Sequence, residues 1–261
     1  MMKDISWLSR TSLLIGEDKL LKLTRKHVMV VGMGGVGSFA AEFICRAGIG
    51  RMTIIDGDVV DPTNRNRQLP ALATNHGESK AAIMAERLLA INPELDLKVI
   101  KKFINPNMVA ELFNEPPDYI IDAIDSITPK LNFIKLAYAR NMPLVSSMGA
   151  GGKTDPTRLQ VADISKSYQC PFAQQLRKML KKDKIYKGIK VVFSPEENVP
   201  ESLVLTDGSN YKKSAYGTMS YMPAVFGAVA ASVAIRDLME EKVLEKIQPG
   251  EEFIAVAPGT T

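Results

Sequence analysis

Short, almost continuous apolar runs that stop at glycine or aspartate alternate along the first half of the chain with stretches of helical periodicity. Residues 27–31, His-Val-Met-Val-Val, run into Gly32 and read as a strand buried on both faces. Over 36–47, Val36, Phe39, Ala40, Phe43 and Ile44 recur at helical spacing until Gly48 and Gly50 end the element. A second strand over 51–55 runs into Asp56, so strand, glycine turn, helix and strand make one βαβ unit. The alternation predicts a helix over 79–90, a strand near 97–101, a helix around 107–113, a strand over 119–121 ending at Asp122, a helix over 129–140 and a strand over 143–146.

Repeated βα units predict an α/β fold with a Rossmann-like, doubly wound and mainly parallel sheet, whose ligands lie beyond the carboxyl ends of the strands. Asp56, Asp122, Asp125 and the glycine loop then share one edge. After Gly149-Ala150-Gly151-Gly152 the texture changes to an irregular α+β half. Strand-like pieces at 159–164 and 190–193 flank a lysine-rich helix, a polar stretch spans 194–214, and a last strong helix covers 221–241. With no repeat and no long low-complexity segment, the expected organisation is one domain over 1–261, its halves meeting near residue 150.

Composition narrows the class. In 261 residues, 46% hydrophobic and 24% charged content excludes a disordered or fibrous chain. The net charge of +4 is a mild excess, so the placement of charges matters more than their total. Two cysteines, Cys45 and Cys170, cannot make a disulfide framework or a four-thiolate zinc site, which points to a reducing compartment. The start, MMKDISWLSR, lacks a basic-then-apolar signal pattern. The apolar run 221–235 is broken by Pro223 and falls short of the roughly 18 to 20 residues of a membrane span, so the expectation is a cytoplasmic chain with no span and a buried helix there.

Gly32-Met33-Gly34-Gly35-Val36-Gly37 fits G-x-G-x-x-G between a strand and a helix, where glycines let backbone N–H groups approach phosphates at the helix N-terminus. Asp56, ending the second strand, is placed to accept from ribose hydroxyls. To this point an NAD-dependent dehydrogenase fits equally well. The polar arm that follows, Asp56-Gly57-Asp58-Val59-Val60-Asp61-Pro62-Thr63-Asn64-Arg65-Asn66-Arg67-Gln68, changes the balance. Arginine forks match phosphate oxygens, and a carboxylate-held Mg²⁺ neutralises a triphosphate, so the arm suits chemistry on ATP better than hydride transfer.

With the loop at Gly32 to Ser38, Asp56, N-x-x-R-Q at Asn64 to Gln68, the lysine of Ser79-Lys80 and D-x-x-D at Asp122 to Asp125, the sequence resembles the ubiquitin-activating-type adenylyltransferase superfamily, which includes the activators of thiamine and molybdopterin sulfur carriers. The resemblance implies that Gly32, Gly34, Gly35, Gly37, Asp56, Asp58 and Gln68 bind ATP. It also implies that Asn64, Arg67 and Lys80 grip phosphates, that Asp125 positions Mg²⁺, and that Arg10 of a second subunit completes the site of a homodimer. It makes 1–150 the nucleotide-binding half and 151–261 the half for substrate and dimerisation. The implied reaction is attack of a substrate carboxylate on the α-phosphate of ATP, forming an acyl-adenylate. Neither His27 nor His76 is assigned a catalytic role.

Sulfur-carrier activators carry two C-x-x-C pairs and a separate acyl-transfer cysteine, and this chain lacks both pairs. A branch without them, the tRNA threonylcarbamoyladenosine dehydratases, is similar throughout. The similarity includes a W-L-S-R start and the helix opening Gly217-Thr218-Met219-Ser220-Tyr221-Met222-Pro223-Ala224-Val225-Phe226-Gly227. It implies activation of the threonyl carboxylate on a modified adenosine at tRNA position 37, then ring closure with formal loss of water. A tethered nucleophile needs no protein thiol.

A tRNA substrate calls for a basic surface, and Arg177, Lys178, Lys181, Lys182, Lys184, Lys187 and Lys190 crowd one segment with Asp183 as its only acid. Phe172, Leu176, Met179 and Leu180 give the same segment an apolar helical face, so the lysines also suit an ordinary solvated side. Lys212-Lys213 would extend the patch. The similarity also leaves room for a sulfur-transfer or delivery protein as partner. The competing readings are an activator of a small sulfur-carrier or ubiquitin-like C-terminus working through Cys170, a nucleotide-binding module without chemistry, and the dehydrogenase.

Overall fold

The apolar runs form the parallel strands that the pattern calls for. The computed structural model describes residues 4–205 and 214–240. Strands β1 (His27–Val31), β2 (Arg51–Ile55), β3 (Asp96–Ile100), β4 (Tyr119–Asp122) and β5 (Leu144–Ser147) alternate with helices α3 (Gly37–Arg46), α4 (Lys80–Ile91), α5 (Pro106–Leu112) and α6 (Ile127–Ala139). Two short helices precede them, α1 (Ser9–Ile15) and α2 (Glu17–Leu23). The hydrophobic pattern does not predict this pair. Seven residues apiece are too few to show a repeating apolar stripe, and Leu13 and Leu14 of α1 face solvent.

Among the described residues one seven-stranded sheet runs in the order β3-β2-β1-β4-β5-β7-β6, where β6 is Gln160–Asp163 and β7 is Lys190–Phe193. Every pairing is parallel except β6 with β7. The second half is thus less irregular than its texture suggested: β7 pairs in register with β5, Val145 opposite Lys190, and extends the same sheet. The polar stretch 194–214 also holds structure, a hairpin of β8 (Leu203–Leu205) and β9 (Ser214–Tyr216). Lys212 and Lys213 lie outside the described residues, as does residue 241 at the end of the expected last helix.

That helix, α8 (Tyr221–Glu240), is 20 residues long and apolar enough in composition to cross a membrane, longer than the run 221–235 suggested. It is spent on the core: Met222, Phe226, Ala230, Ala231, Val233 and Ala234 are buried with Ala40, Ala41 and Ile44 of α3 and with Val28, Val30 and Ile121 of the sheet. Close approach depends on Gly227, where a Cβ would lie 2.4 Å from the Val36 carbonyl oxygen. At the other end, Tyr119 donates to Asp237 at 2.6 Å and Lys190 pairs with the same carboxylate, tying α8 to β4 and β7. On the opposite face, Val109, Phe113, Phe133 and Ala137 of the α5–α6 layer cover Met29, Val31 and Ile120. Helix α7 (Pro171–Lys182) buries Ala173, Leu176 and Leu180 against Ile134, Val191 and Phe193.

His27, 8% exposed, places Nε2 2.9 Å from Thr53 Oγ1, and its backbone N–H donates to Asp118. Burial, helped by the charge of Arg51, holds its imidazole below the ordinary value. An unfolded chain therefore takes up that proton first as pH falls, and this contribution to stability, complete above the ordinary imidazole pKa of about 6.5, is lost below it. Urea midpoints at pH 7.5 and 5.0 should separate by less in His27→Gln than in the wild type; equal separations would assign the slope to other groups.

Candidate active site

Strand order turns back between β1 and β4, and the turns leaving these two strands open a crevice at the carboxyl edge, where ligands of doubly wound sheets bind. Gly32, at φ +92°, leaves β1, and a Cβ at Gly37 would fall 1.7 Å from its carbonyl oxygen, so this tight turn into α3 requires glycine. Gly34 has nothing nearer to its missing side chain than the Gln68 amide, 3.8 Å off, and Gly35 abuts Pro223 of α8. No acidic side chain occupies the first turn of α3, which leaves its N-terminus suited to an anion. Asp56, from β2, accepts from Met33 N–H at 2.5 Å and Asp58 N–H at 2.6 Å. Burial raises its carboxyl above the usual aspartate range, against the pull of those N–H groups and Lys80. The acid thus fixes the first turn of the loop through these two N–H groups.

The arm 58–68 is folded by its own side chains. Asp61 and Asn64 make a reciprocal cap: Asp61 accepts from Thr63 N–H at 2.8 Å, and Asn64 Oδ1 accepts from Asp61 N–H at 3.1 Å. Asn64 is buried, so its carbonyl is spent on shaping the arm. Arg67 Nη1 donates to Thr63 O and Asn66 Oδ1, both at 2.9 Å, and Asn66 donates to Thr218 O at 3.0 Å, joining the arm to the segment before α8. Burial lowers the Arg67 pKa, while the charges of Asp125 and Asp61 oppose it. Arg67 and Asp125, distant in sequence, are therefore near enough for their charges to interact. Lys80, the first residue of α4, is buried with Nζ 3.4 Å from Asp58. Gln68 Oε1 is buried with no hydrogen-bond partner.

The two acids of D-x-x-D part company. Asp122 is wholly buried: it accepts from Ser146 Oγ at 2.7 Å and Ile124 N–H at 3.1 Å, and pairs with Lys130 at 2.9 Å. Asp125, three residues on, stands exposed in the turn after β4, with Ser126 Oγ 3.4 Å away. Among the described residues no three His, Cys, Asp or Glu side chains gather as a metal cage. A carboxylate outside any metal cage, near a glycine turn, would suit Mg²⁺ of the kind held mostly by substrate phosphates and water. Lys130 escaped the sequence reading because a helical lysine ordinarily faces solvent; its signal was its place among Ile127, Leu131 and Ile134 on the apolar face of α6.

Elsewhere, Lys178, Lys181 and Lys182 project from the outer face of α7, whereas Arg177 turns back onto Ser167 O at 2.7 Å and its hydroxyl. Lys190 is engaged with Asp237, and Lys135 bridges to Asp183 at 2.9 Å. Both thiols are buried. Cys45 donates to Leu88 O at 3.4 Å, and burial pushes its pKa up to about 12; Cys170 lies in the apolar cluster under α7. Neither is placed as an accessible nucleophile. Arg10, in α1, is exposed. Its neighbour Leu8 packs at Gly48, past the C-terminal end of α3 and so a helix length from the glycine loop.

A protein-family model, the ThiF family, matches residues 8–253. The tRNA threonylcarbamoyladenosine dehydratase of Bacillus subtilis (strain 168) is 40% identical over 248 residues, covering 92% of this chain and 97% of the relative. That of Escherichia coli (strain K12) is 42% identical over 246 residues, covering 88% and 92%. A crystal structure of E. coli tRNA N6-threonylcarbamoyladenosine dehydratase, TcdA, in complex with ATP superposes with a TM-score of 0.82 at 40% identity, covering 92% of this chain and 97% of that one.

Proposed function

The chain belongs to the ThiF family, and from that membership we propose that it is an ATP-dependent tRNA-modifying dehydratase, which adenylates the threonyl carboxylate of threonylcarbamoyladenosine at tRNA position 37 and closes it into a ring. The observation that carries the reading is the packing of the arginine-bearing arm on the glycine turn, where a Cβ at Gly35 would fall 3.1 Å from the Arg67 carbonyl oxygen, a phosphate-handling arrangement that hydride transfer does not need. The near full-length similarity to dehydratases supports the substrate.

The chemistry follows from this arrangement. Asp56 accepts from the ribose, and the N-terminus of α3 receives phosphate. A carboxylate oxygen of the substrate attacks the α-phosphorus, pyrophosphate leaves, and a nitrogen or oxygen of the same threonylcarbamoyl group then attacks the acyl carbon. AMP leaves with one carboxylate oxygen, and the attacking group loses its proton. Arg67 and Lys80 stabilise charge that grows on the departing phosphates, with Lys80 exchanging Asp58 for an anionic oxygen. Mg²⁺, held at Asp125, would supply further neutralisation of the triphosphate. No protein thiol takes part, in keeping with the burial of Cys170.

Leu8, two residues before Arg10, packs at the far end of α3, a helix of 10 residues and about 15 Å, so Arg10 is assigned to a site other than that of its own chain. The same assignment therefore calls for a homodimer in which Arg10 reaches the partner's phosphates, with exposed Leu13 and Leu14 of α1 available for the contact. Lys178, Lys181 and Lys182 are proposed to meet the tRNA backbone, with Arg177 shaping the loop at Ser167 rather than touching RNA.

The test is AMP release from ATP with tRNA that carries threonylcarbamoyladenosine against unmodified tRNA, following the nucleoside mass. The expected result is AMP formed only with the modified tRNA, a product lighter by one water, and an unaltered rate in Cys170→Ala. AMP formation indifferent to tRNA, or its loss in Cys170→Ala, would transfer the assignment to a carrier-protein carboxylate.

A further inference from the structure

Lys130 is buried completely, with the phenylalanines one of the largest such side chains among the described residues, and nothing in the reaction as described uses it. Its ammonium sits beneath the turn that presents Asp125. Nζ lies 2.9 Å from Asp122 Oδ2 and donates to Ile124 O at 3.0 Å and, at 3.5 Å, to Asp122 O. The Phe172 ring of α7 closes over it with its centroid 5.8 Å away. Asp122 is fixed in turn by Ser146 of β5 and by Ile124 N–H. The main-chain carbonyls on either side of Ala123, and the carboxylate that starts the turn, are thus gathered on one cation. An ammonium with three divergent donors suits such a set better than a planar guanidinium.

We propose that Lys130 is a positioning residue for adenylation: by clamping the carbonyls of Asp122 and Ile124 it sets where the Asp125 carboxylate stands at the end of the turn. The proposal rests on the dehydratase reading for its purpose, but its geometry concerns only how ATP is held. Without the clamp, the turn keeps the Ile124 N–H bond to residue 122 and loses the tie on the Ile124 carbonyl, so Asp125 samples positions away from the phosphates. Catalysis built on preorganised charge is sensitive to such displacement.

Replacing Lys130 alone strands a buried carboxylate, so the informative variant removes both charges, Asp122→Asn with Lys130→Met. Asparagine can still accept from Ile124 N–H and bond Ser146, and methionine fills the lysine stem. Calorimetry would compare binding of ATP in Mg²⁺ with binding of ATP in EDTA, and AMP formation would be measured beside it. The expected result is a folded protein whose affinity for ATP in Mg²⁺ and whose kcat each fall about tenfold, with affinity in EDTA changed less than about twofold. Equal losses in Mg²⁺ and EDTA would mark Lys130 as merely structural, and wild-type values in both would overturn the proposal outright. Should the pair variant fail to fold, Ser146→Ala loosens the same carboxylate and should show the same split at about threefold; its absence would overturn the proposal equally. The binding arms need no tRNA, so inactivity of the wild type toward modified tRNA would remove the dehydratase reading while leaving the clamp to be judged on ATP.

Discussion

Arg67→Ala and Asp125→Ala are each expected to lower AMP formation by about 10² to 10³-fold while leaving the melting temperature close to that of the wild type. Both side chains stand at the mouth of the crevice, away from the apolar clusters, so truncation opens no cavity. Arg67 spends Nη1 on Thr63 O and Asn66 Oδ1, which fixes the plane of the guanidinium and leaves its other N–H donors for an anion. Arg67→Lys keeps the charge but loses that anchoring, and should recover only part of the rate. Steady-state kinetics with ATP and modified tRNA separate the cases: a fall in kcat with little change in KM marks an interaction made in the transition state. Near-normal turnover in either alanine variant would move the phosphate-handling role to other residues.

The parts of this fold that were legible in the sequence are those where one strong force decides. Strands β1, β2 and β7 occur at the expected bounds because a run such as His-Val-Met-Val-Val is buried on both faces and has no competing arrangement. Helix starts moved by a residue or two where capping decides: Ser79 accepts from Ala82 N–H and Asn105 from Met108 N–H, so α4 and α5 begin at Lys80 and Pro106. Elements whose burial is settled only by the assembled chain were harder to see. β6, an antiparallel edge strand, falls within the piece expected at 159–164, whereas β8, which shows Leu203, Val204 and Leu205 to solvent, lies in what reads as a polar stretch. At the site, residues that carry charge to one edge could be read from motif and strand end. Their division of labour could not. Asn64 caps its own arm, and Asp122, though it opens the acidic motif, is sealed against Lys130 at a place that α6 creates by packing on the sheet.

That sealed pair sets the largest stability effect expected of a single replacement. In Lys130→Met, the Asp122 carboxylate remains wholly buried with only Ser146 Oγ and Ile124 N–H as donors, and two carbonyl oxygens lose their partner. Breaking a buried ion pair on one side costs about 3–5 kcal/mol, which for a chain of this size lowers the melting temperature on the order of 10 °C. Burial already draws the Lys130 pKa below the ordinary lysine value against the attraction of Asp122, so the pair carries a large desolvation cost even when intact. Removing both charges therefore recovers most of the loss, and Asp122→Asn with Lys130→Met should melt within a few degrees of the wild type. The comparison separates two functions of one contact. If the pair served stability alone, the neutral variant would be stable and active. If it serves the turn, the neutral variant is stable and slow, because the fold is indifferent to the exchange of an ion pair for an uncharged pair while the placement of Asp125 is not. Thermal melts of the two single variants and the pair, read as a double-mutant cycle, give the coupling directly; additive losses would mean that the two charges do not depend on each other.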